Sequence, residues 1–307
     1  MNSIHVGFEP AYLATSRSGA LKERVAQAKQ HLACCDLCAN QCRVNRNDTA
    51  DGTVCRTRAL ASISSYGPHH GEERPLSGWN GSGTIFFSRC NLHCVFCQNW
   101  EISQKGVGRE MRAAELASIM LQLERQGCHN INLVSPSHVV APIIEALDIA
   151  VFGGLRLPLV YNTGGYDSLE ALSLLDGIID IYMPDMKYGN SAMARRYSRV
   201  PDYVEINEKA VKEMHRQVGD LVLGPDGLAV RGLLIRHLVL PGDLSGTGQV
   251  LAFIAKEISS RAYVNLMDQY RPCFRADNHP LLDLPLSRRE YQKAIETAHH
   301  LGLTRLD

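Results

Sequence analysis

Several things that settle a protein's class early are missing from this sequence. It has no net charge, because 32 Lys and Arg balance 32 Asp and Glu, so no overall field draws in nucleic acid or an anionic membrane. No apolar run approaches the ~20 residues that cross a bilayer, and Met1 to Leu13 lacks the basic start and apolar stretch of a secretory signal. The expectation is a cytoplasmic protein with neither a nucleic-acid nor a membrane partner. There is no internal repeat and no low-complexity segment. What is present is ordinary in bulk: 45% hydrophobic and 21% charged residues make a normal globular core. The 307 residues leave room for one large domain and a small addition.

Cysteine is where the chain is specific. Ten are too few for a disulfide scaffold at this length. Seven of them fall into two tight groups, Cys35-Cys38-Cys42-Cys55 and Cys90-Cys94-Cys97, and in a reducing compartment such groups are metal ligands. Cys34, Cys128 and Cys273 stand apart and read as small buried side chains.

The chain divides by rhythm. Residues 1–33 form a helical segment, with Leu21, Val25, Ala28 and Leu32 on one face. Residues 34–60 are polar, turn-rich and cysteine-punctuated, a knot around a metal, with Gly52 turning the chain before Cys55. Residues 61–79 read as a linker. From residue 80 to 307, short β-prone runs at 84–87, 130–134, 158–162, 180–183, 233–240 and 262–267 alternate with helical patterns. The helices fall at 113–126, 140–151, 168–175, 191–217 (broken near Pro201), 248–260 and 287–301, the last with a Ser287/Glu290 capping box. That alternation predicts an α/β protein with a parallel sheet of βαβ units. Six units are too few for a closed eight-stranded barrel, and pattern alone leaves a partial barrel and a doubly wound sheet both open.

The first of those runs, 84–87, leads directly into Cys90-x3-Cys94-x2-Cys97. Three thiolates within eight residues can bind three irons of a cubane, whereas an electron carrier supplies a fourth cysteine. An iron without a protein ligand is an open coordination site, which is what chemistry requires. A zinc ion here needs a fourth ligand, and His93 adjoins Cys94, which makes joint tetrahedral ligation awkward.

C-x3-C-x2-C directly after the first strand resembles the signature of the radical S-adenosylmethionine (SAM) superfamily. Further stretches resemble its pyruvate formate-lyase activating enzyme-related group. They are Cys-Asp-Leu-Cys (35–38), Asn-Leu-Val-Ser-Pro-Ser-His (132–138), Tyr-Asn-Thr-Gly-Gly-Tyr-Asp (161–167), Asp-Ile-Tyr-Met-Pro-Asp-Met-Lys-Tyr (180–188), Arg-His-Leu-Val-Leu-Pro-Gly (236–242) and Gln-Tyr-Arg-Pro (269–272), within residues 30–303. The resemblance implies a partial (β/α)6 barrel and a [4Fe–4S] cluster whose open iron binds SAM. It implies one-electron reduction of the sulfonium to a 5′-deoxyadenosyl radical that abstracts hydrogen from a substrate, a protein or a small molecule. A reductant such as flavodoxin or ferredoxin is implied as a partner. Phe96 matches the aromatic that packs near the adenine, and it also reads as simple packing within the loop. Asp185 and Lys187 match an Asp-x-Lys that approaches the methionine end of SAM, and a local ion pair is the plainer reading. The family's Gly-Gly-Glu-Pro is replaced by Val-Ser-Pro-Ser at 134–137, which leaves Ser135 and Ser137, not a carboxylate, to receive the SAM amino group.

Ligands in parallel βα folds lie at the carboxyl ends of the strands. There the sequence places Ser135, His138, Asn162, Asp185, Lys187, Arg236 and Gln269. Asp185, Lys187 and Arg236 are the catalytic candidates, Arg236 to meet a carboxylate or to close the barrel by an ion pair. Asn162 joins the cofactor-binding set. Histidines 138 and 237 read as structural. The Cys35/Cys38/Cys42/Cys55 knot is a closed site for zinc or for a second iron–sulfur cluster.

Two variants stay within the same superfamily: activation of a glycyl-radical protein, and transfer of the aminocarboxypropyl group of SAM. A reading from another class is a non-catalytic iron–sulfur electron carrier.

Overall fold

A computed structural model describes residues 8–307; the expectations placed on Met1–Gly7 lie outside the described residues. Among the described residues there are ten strands: β1 (Ala61–His69), β2 (Ser82–Phe87), β3 (Arg109–Met111), β4 (Ile131–Val134), β5 (Leu159–Thr163), β6 (Ile181–Pro184), β7 (Val222–Leu223), β8 (Ala229–Leu238), β9 (Tyr263–Met267) and β10 (Arg305–Leu306). Their order in the sheet is β10-β9-β8-β6-β5-β4-β2-β1-β3, with β7 pairing β8. The six strands β2, β4, β5, β6, β8 and β9 run parallel, each paired with the next in chain order. They are the six β-prone runs of the sequence, and the fold is the partial (β/α)6 barrel.

Burial explains why these strands are continuous apolar runs. Every residue of β5 and β6 is buried, as expected where helices cover one face and a packed interior the other. The helix Val140–Phe152 buries Ile143, Ile144, Leu147 and five further residues; it lies between the helix Ala113–Arg125 and the helix Ala20–His31. Pro142 sits in its first turn, where a missing N–H costs nothing. The long helical pattern is broken as expected, into Ser191–Ser198 and Tyr203–Val218, with Arg199 left-handed at φ 62° between them. The last helix, Arg288–His300, carries the Ser287/Glu290 capping box.

The 61–79 segment is not a linker. It holds β1, antiparallel to β2, and β1 in turn pairs with β3. Alternating burial at its start, with Ala61 and Ile63 inward, fixes its register. The following turn then crosses to the other edge of the sheet, where Glu73 accepts a hydrogen bond from Asn265 of β9 (2.9 Å). The N-terminal helices are docked as well. Tyr12 Oη donates to the Leu157 carbonyl (2.8 Å), and Ala11 N–H donates to Asp180 (2.8 Å). Among the described residues no helix is long and apolar enough to cross a membrane.

Candidate active site

The three-cysteine loop leaves the carboxyl end of β2 through Arg89, a non-glycine residue at φ 73°. Such a backbone costs of order 1 kcal/mol or more and persists where surroundings enforce it; here Arg89 N–H donates to the Ile102 carbonyl (3.0 Å). Asn91 is buried and donates to the Tyr166 carbonyl (2.7 Å). Val95 N–H is tied to the Tyr197 carbonyl (2.8 Å), and Arg275 N–H to the Val95 carbonyl (2.9 Å). The loop is held from three sides before any metal is considered.

Each thiol has a polar neighbour. Leu92 N–H reaches Cys90 Sγ (3.4 Å), the Ser198 hydroxyl reaches Cys94 Sγ (2.9 Å), and the Ser103 hydroxyl reaches Cys97 Sγ (3.1 Å). Burial pushes Cys90 up to about 12 and Cys94 up to about 11, and also raises Cys97. The Lys187 ammonium works the other way on all three. Thiols this buried ionise when a metal replaces the proton, so a soft-donor iron–sulfur cluster fits the donor set. His93 is turned away, with Nδ1 at Gln104 Oε1 (2.8 Å) and Nε2 at the Val54 carbonyl (3.1 Å). Both ring nitrogens are engaged, which removes it as a zinc ligand.

Beside the loop, Asp185 at the end of β6 is the hub. Its Oδ1 accepts from Arg236 Nε (2.8 Å) and its Oδ2 from Lys187 Nζ (2.5 Å). Arg236 also donates from Nη2 to Asn162 Oδ1 (2.8 Å) and lies 3.9 Å from Glu73. Burial pushes the Asp185 carboxyl up, yet Arg236 and Lys187 together hold it below the usual range. Four residues predicted from sequence, Asn162, Asp185, Lys187 and Arg236, therefore form one network. It opens on a cavity of about 550 Å³ lined by Asn99, Asn162, Arg236, Asn265 and Gln269, and by Glu72 and Glu73.

Two predicted residues behave differently. Ser137 is buried behind the site, where its hydroxyl meets Thr163 Oγ1 (2.8 Å), which donates to Asp167 (2.6 Å). It is committed to this network and is not presented for a ligand. Ser135 closes β4 at φ 59°, its N–H donating to the Asn162 carbonyl (2.9 Å). Phe96 packs edge-on against Tyr188 (6.4 Å) and Tyr270 (6.1 Å), both outside the loop. His138 and His237 are buried and hydrogen-bonded to the Ser88 and Met186 carbonyls (2.9 and 2.6 Å).

Sequence reasoning missed Tyr203, whose hydroxyl binds Lys187 N–H (3.1 Å) and the Gly164 carbonyl (2.9 Å), and the pair Glu72 and Glu73. A close approach nearby explains Gly165: a Cβ there would lie 2.2 Å from the Asp185 carbonyl. Cys273 is also corrected. It is half-buried, near enough to Cys97 to raise its pKa, and not remote from the site.

In the knot, Cys35, Cys38 and Cys55 are buried and Cys42 is half-buried, with Cys35 and Cys55 close enough to act on both Cys38 and Cys42. Burial raises Cys38 to about 12, with Cys55 adding to it. Cys34 is exposed, not a buried side chain. Gly52 has φ 79°, the left-handed turn expected before Cys55. Arg46 is fully buried, donating to the Thr57 and Arg58 carbonyls (both 2.8 Å) and to Cys35 Sγ (3.5 Å). Asn40 bridges the knot to the three-cysteine loop, donating to the Asn91 carbonyl (2.8 Å). Among the described residues no three such side chains converge on a single metal-ion position; a cubane holds its thiolates further apart than an ion does.

The radical SAM superfamily model matches residues 84–229, from β2 into β8. The uncharacterized protein MJ0674 of Methanocaldococcus jannaschii is 33% identical over 290 residues, 91% of this chain and 78% of the relative. The chain belongs to the radical SAM superfamily. A solved structure of TYW1 with a lysine–pyruvate adduct bound aligns at 12% identity and TM-score 0.45, over 71% of this chain and 73% of that one. Membership implies a [4Fe–4S] cluster, SAM as its partner in catalysis and SAM cleavage by a radical mechanism.

Proposed function

We propose that Cys90, Cys94 and Cys97 hold the [4Fe–4S] cluster, and that the protein reductively cleaves SAM to remove a hydrogen atom from a substrate bound in the cavity. When bound, the cluster supplies one electron to the SAM sulfonium, which yields methionine and a 5′-deoxyadenosyl radical. The observation that carries this reading is a set of three thiols, Cys94 buried and Cys90 and Cys97 half-buried, at the carboxyl end of the first parallel strand, flanked by Lys187, Asp185 and Arg236.

The polar hub suits a zwitterion. Lys187 and Arg236 offer N–H donors to a carboxylate, while Asp185 and the Asn162 side-chain Oδ1 accept from an ammonium. Phe96, Tyr188 and Tyr270 pack together as an aromatic cluster beside the cysteine loop. A flavodoxin or ferredoxin supplies the electron, and the knot holds zinc or a second iron–sulfur cluster.

Anaerobic reconstitution with iron and sulfide, then dithionite and SAM, tests the reading. The expected product is 5′-deoxyadenosine. Methylthioadenosine in its place would mean that the aminocarboxypropyl bond breaks, and a cluster whose EPR spectrum ignores SAM would make the protein an electron carrier.

A further inference from the structure

The cavity carries an acidic end that SAM cleavage does not account for. Glu72 and Glu73 lie on the turn between β1 and β2, and both line the cavity together with Asn162 and Arg236. The Glu73 side chain is 4% exposed. Its Oε1 accepts from Asn265 (2.9 Å), but Oε2 is buried with no hydrogen-bond partner. A buried carboxylate oxygen left without a donor carries its desolvation cost uncompensated, so the site is complete only when something donates to it. The Glu72 side chain is 8% exposed and meets His69 Nδ1 at 3.2 Å.

The local charges are unbalanced. Arg236 and Lys187 are the cations turned inward, and Lys187 is taken up by Asp185. Arg236 is shared between Asp185 and Glu73, and Arg74 is exposed. Against these stand Asp185, Glu72, Glu73 and Asp307, the last also lining the cavity. Burial pushes both Glu72 and Asp307 up from the usual carboxylate range, with Glu73 adding to it, against the opposing pull of Arg236 and His69 on Glu72 and of Arg74 on Asp307.

Resting on the function proposed above, we propose that Glu72 and Glu73 form a subsite for a protonated amine of the substrate, with Glu73 Oε2 as the principal acceptor. The substrate class is thus an amine or guanidine compound, or a protein segment presenting one, with its cationic group at the barrel seam. A charge-assisted hydrogen bond to a buried carboxylate is strong enough to select for charge over a neutral group of the same shape.

Calorimetric titration of the reconstituted holoenzyme with n-pentylamine and with 1-pentanol, each with and without SAM, is the test. The amine is expected to bind at least about tenfold tighter than the alcohol, and Glu73→Gln to remove that preference while leaving SAM affinity unchanged. Glu72→Gln is the second variant, expected to weaken the preference less, and it serves if Glu73→Gln does not fold. Equal affinity for the two probes, or a preference that survives both substitutions, overturns the subsite. A parallel loss of SAM affinity also overturns it, by assigning the carboxylates to the SAM ammonium. If wild-type protein cleaves no SAM but keeps a carboxylate-dependent preference for the amine, the subsite stands and the catalytic reading fails.

Discussion

Arg236 Nε donates to Asp185 Oδ1 at 2.8 Å, joining the ends of two adjacent parallel strands. The backbones are tied at the same point, with Met186 N–H donating to the Arg236 carbonyl (2.8 Å). The pair is thus both a seam of the barrel and a wall of the cavity.

Removing one partner of such a pair leaves the other charged and buried. Arg236→Met is expected to destabilise the fold by about 3–5 kcal/mol and to weaken SAM binding. Lys187→Met leaves Asp185 still paired and should lower SAM affinity with a smaller loss of stability. Anaerobic denaturant titrations beside SAM binding check this. Equal stability losses for the two variants would show that Arg236 has no special place.

Cys94→Ala is expected to abolish both the visible iron–sulfur absorption and SAM cleavage. Cys273→Ser is the sharper comparison, because Cys273 is the cysteine outside the loop whose charge acts on Cys97. If an iron is open for SAM, Cys273→Ser keeps the cluster and its response to SAM. Loss of cluster in that variant, with Mössbauer spectra showing four protein-ligated irons in the wild type, would sink the catalytic reading.

What could be read in advance was whatever is local. Six strands and their helices followed from apolar runs and caps such as Ser287, and the Asp185–Lys187 contact from a spacing of two residues. The missed strand β1 has only a short alternating start, Ala61 and Ile63, before it becomes exposed. Its role is set by pairing with β2, which no local pattern reports. Ser137 lay within a promising loop, but whether a strand-end hydroxyl faces ligand or core depends on the register of β4 against β5. Glu72 and Glu73 reach the site by tertiary crossing, from a segment with no motif of its own, and Cys273 follows the Gln-Tyr-Arg-Pro stretch without being part of it.

Arg46 makes the knot testable without choosing its metal. Among the described residues no carboxylate pairs with this buried guanidinium, and Cys35 Sγ is its nearest anionic partner once deprotonated. A four-thiolate metal centre supplies that negative charge. Arg46→Met is expected to lower metal content and solubility together, as is Cys38→Ala, with the [4Fe–4S] absorption retained. Either variant remaining folded while losing turnover would point to an electron relay through the Asn40 bridge.

His138 sets an acid limit on the fold. Burial, with Arg46 and Arg89 adding to it, depresses its pKa from 6.5 to about 4, so the folded protein holds it neutral at the Ser88 carbonyl. The unfolded chain binds the proton more readily, so its depressed pKa gives stability that is present above pH about 6.5 and is lost as pH falls toward 4. At about 1.4 kcal/mol per unit, the span is on the order of 3 kcal/mol. Melting temperatures between pH 7.5 and 4.5 should therefore fall faster in the wild type than in His138→Gln, which carries no titrating ring. Parallel curves for the two proteins would mean that His138 is protonated as easily in the fold as out of it.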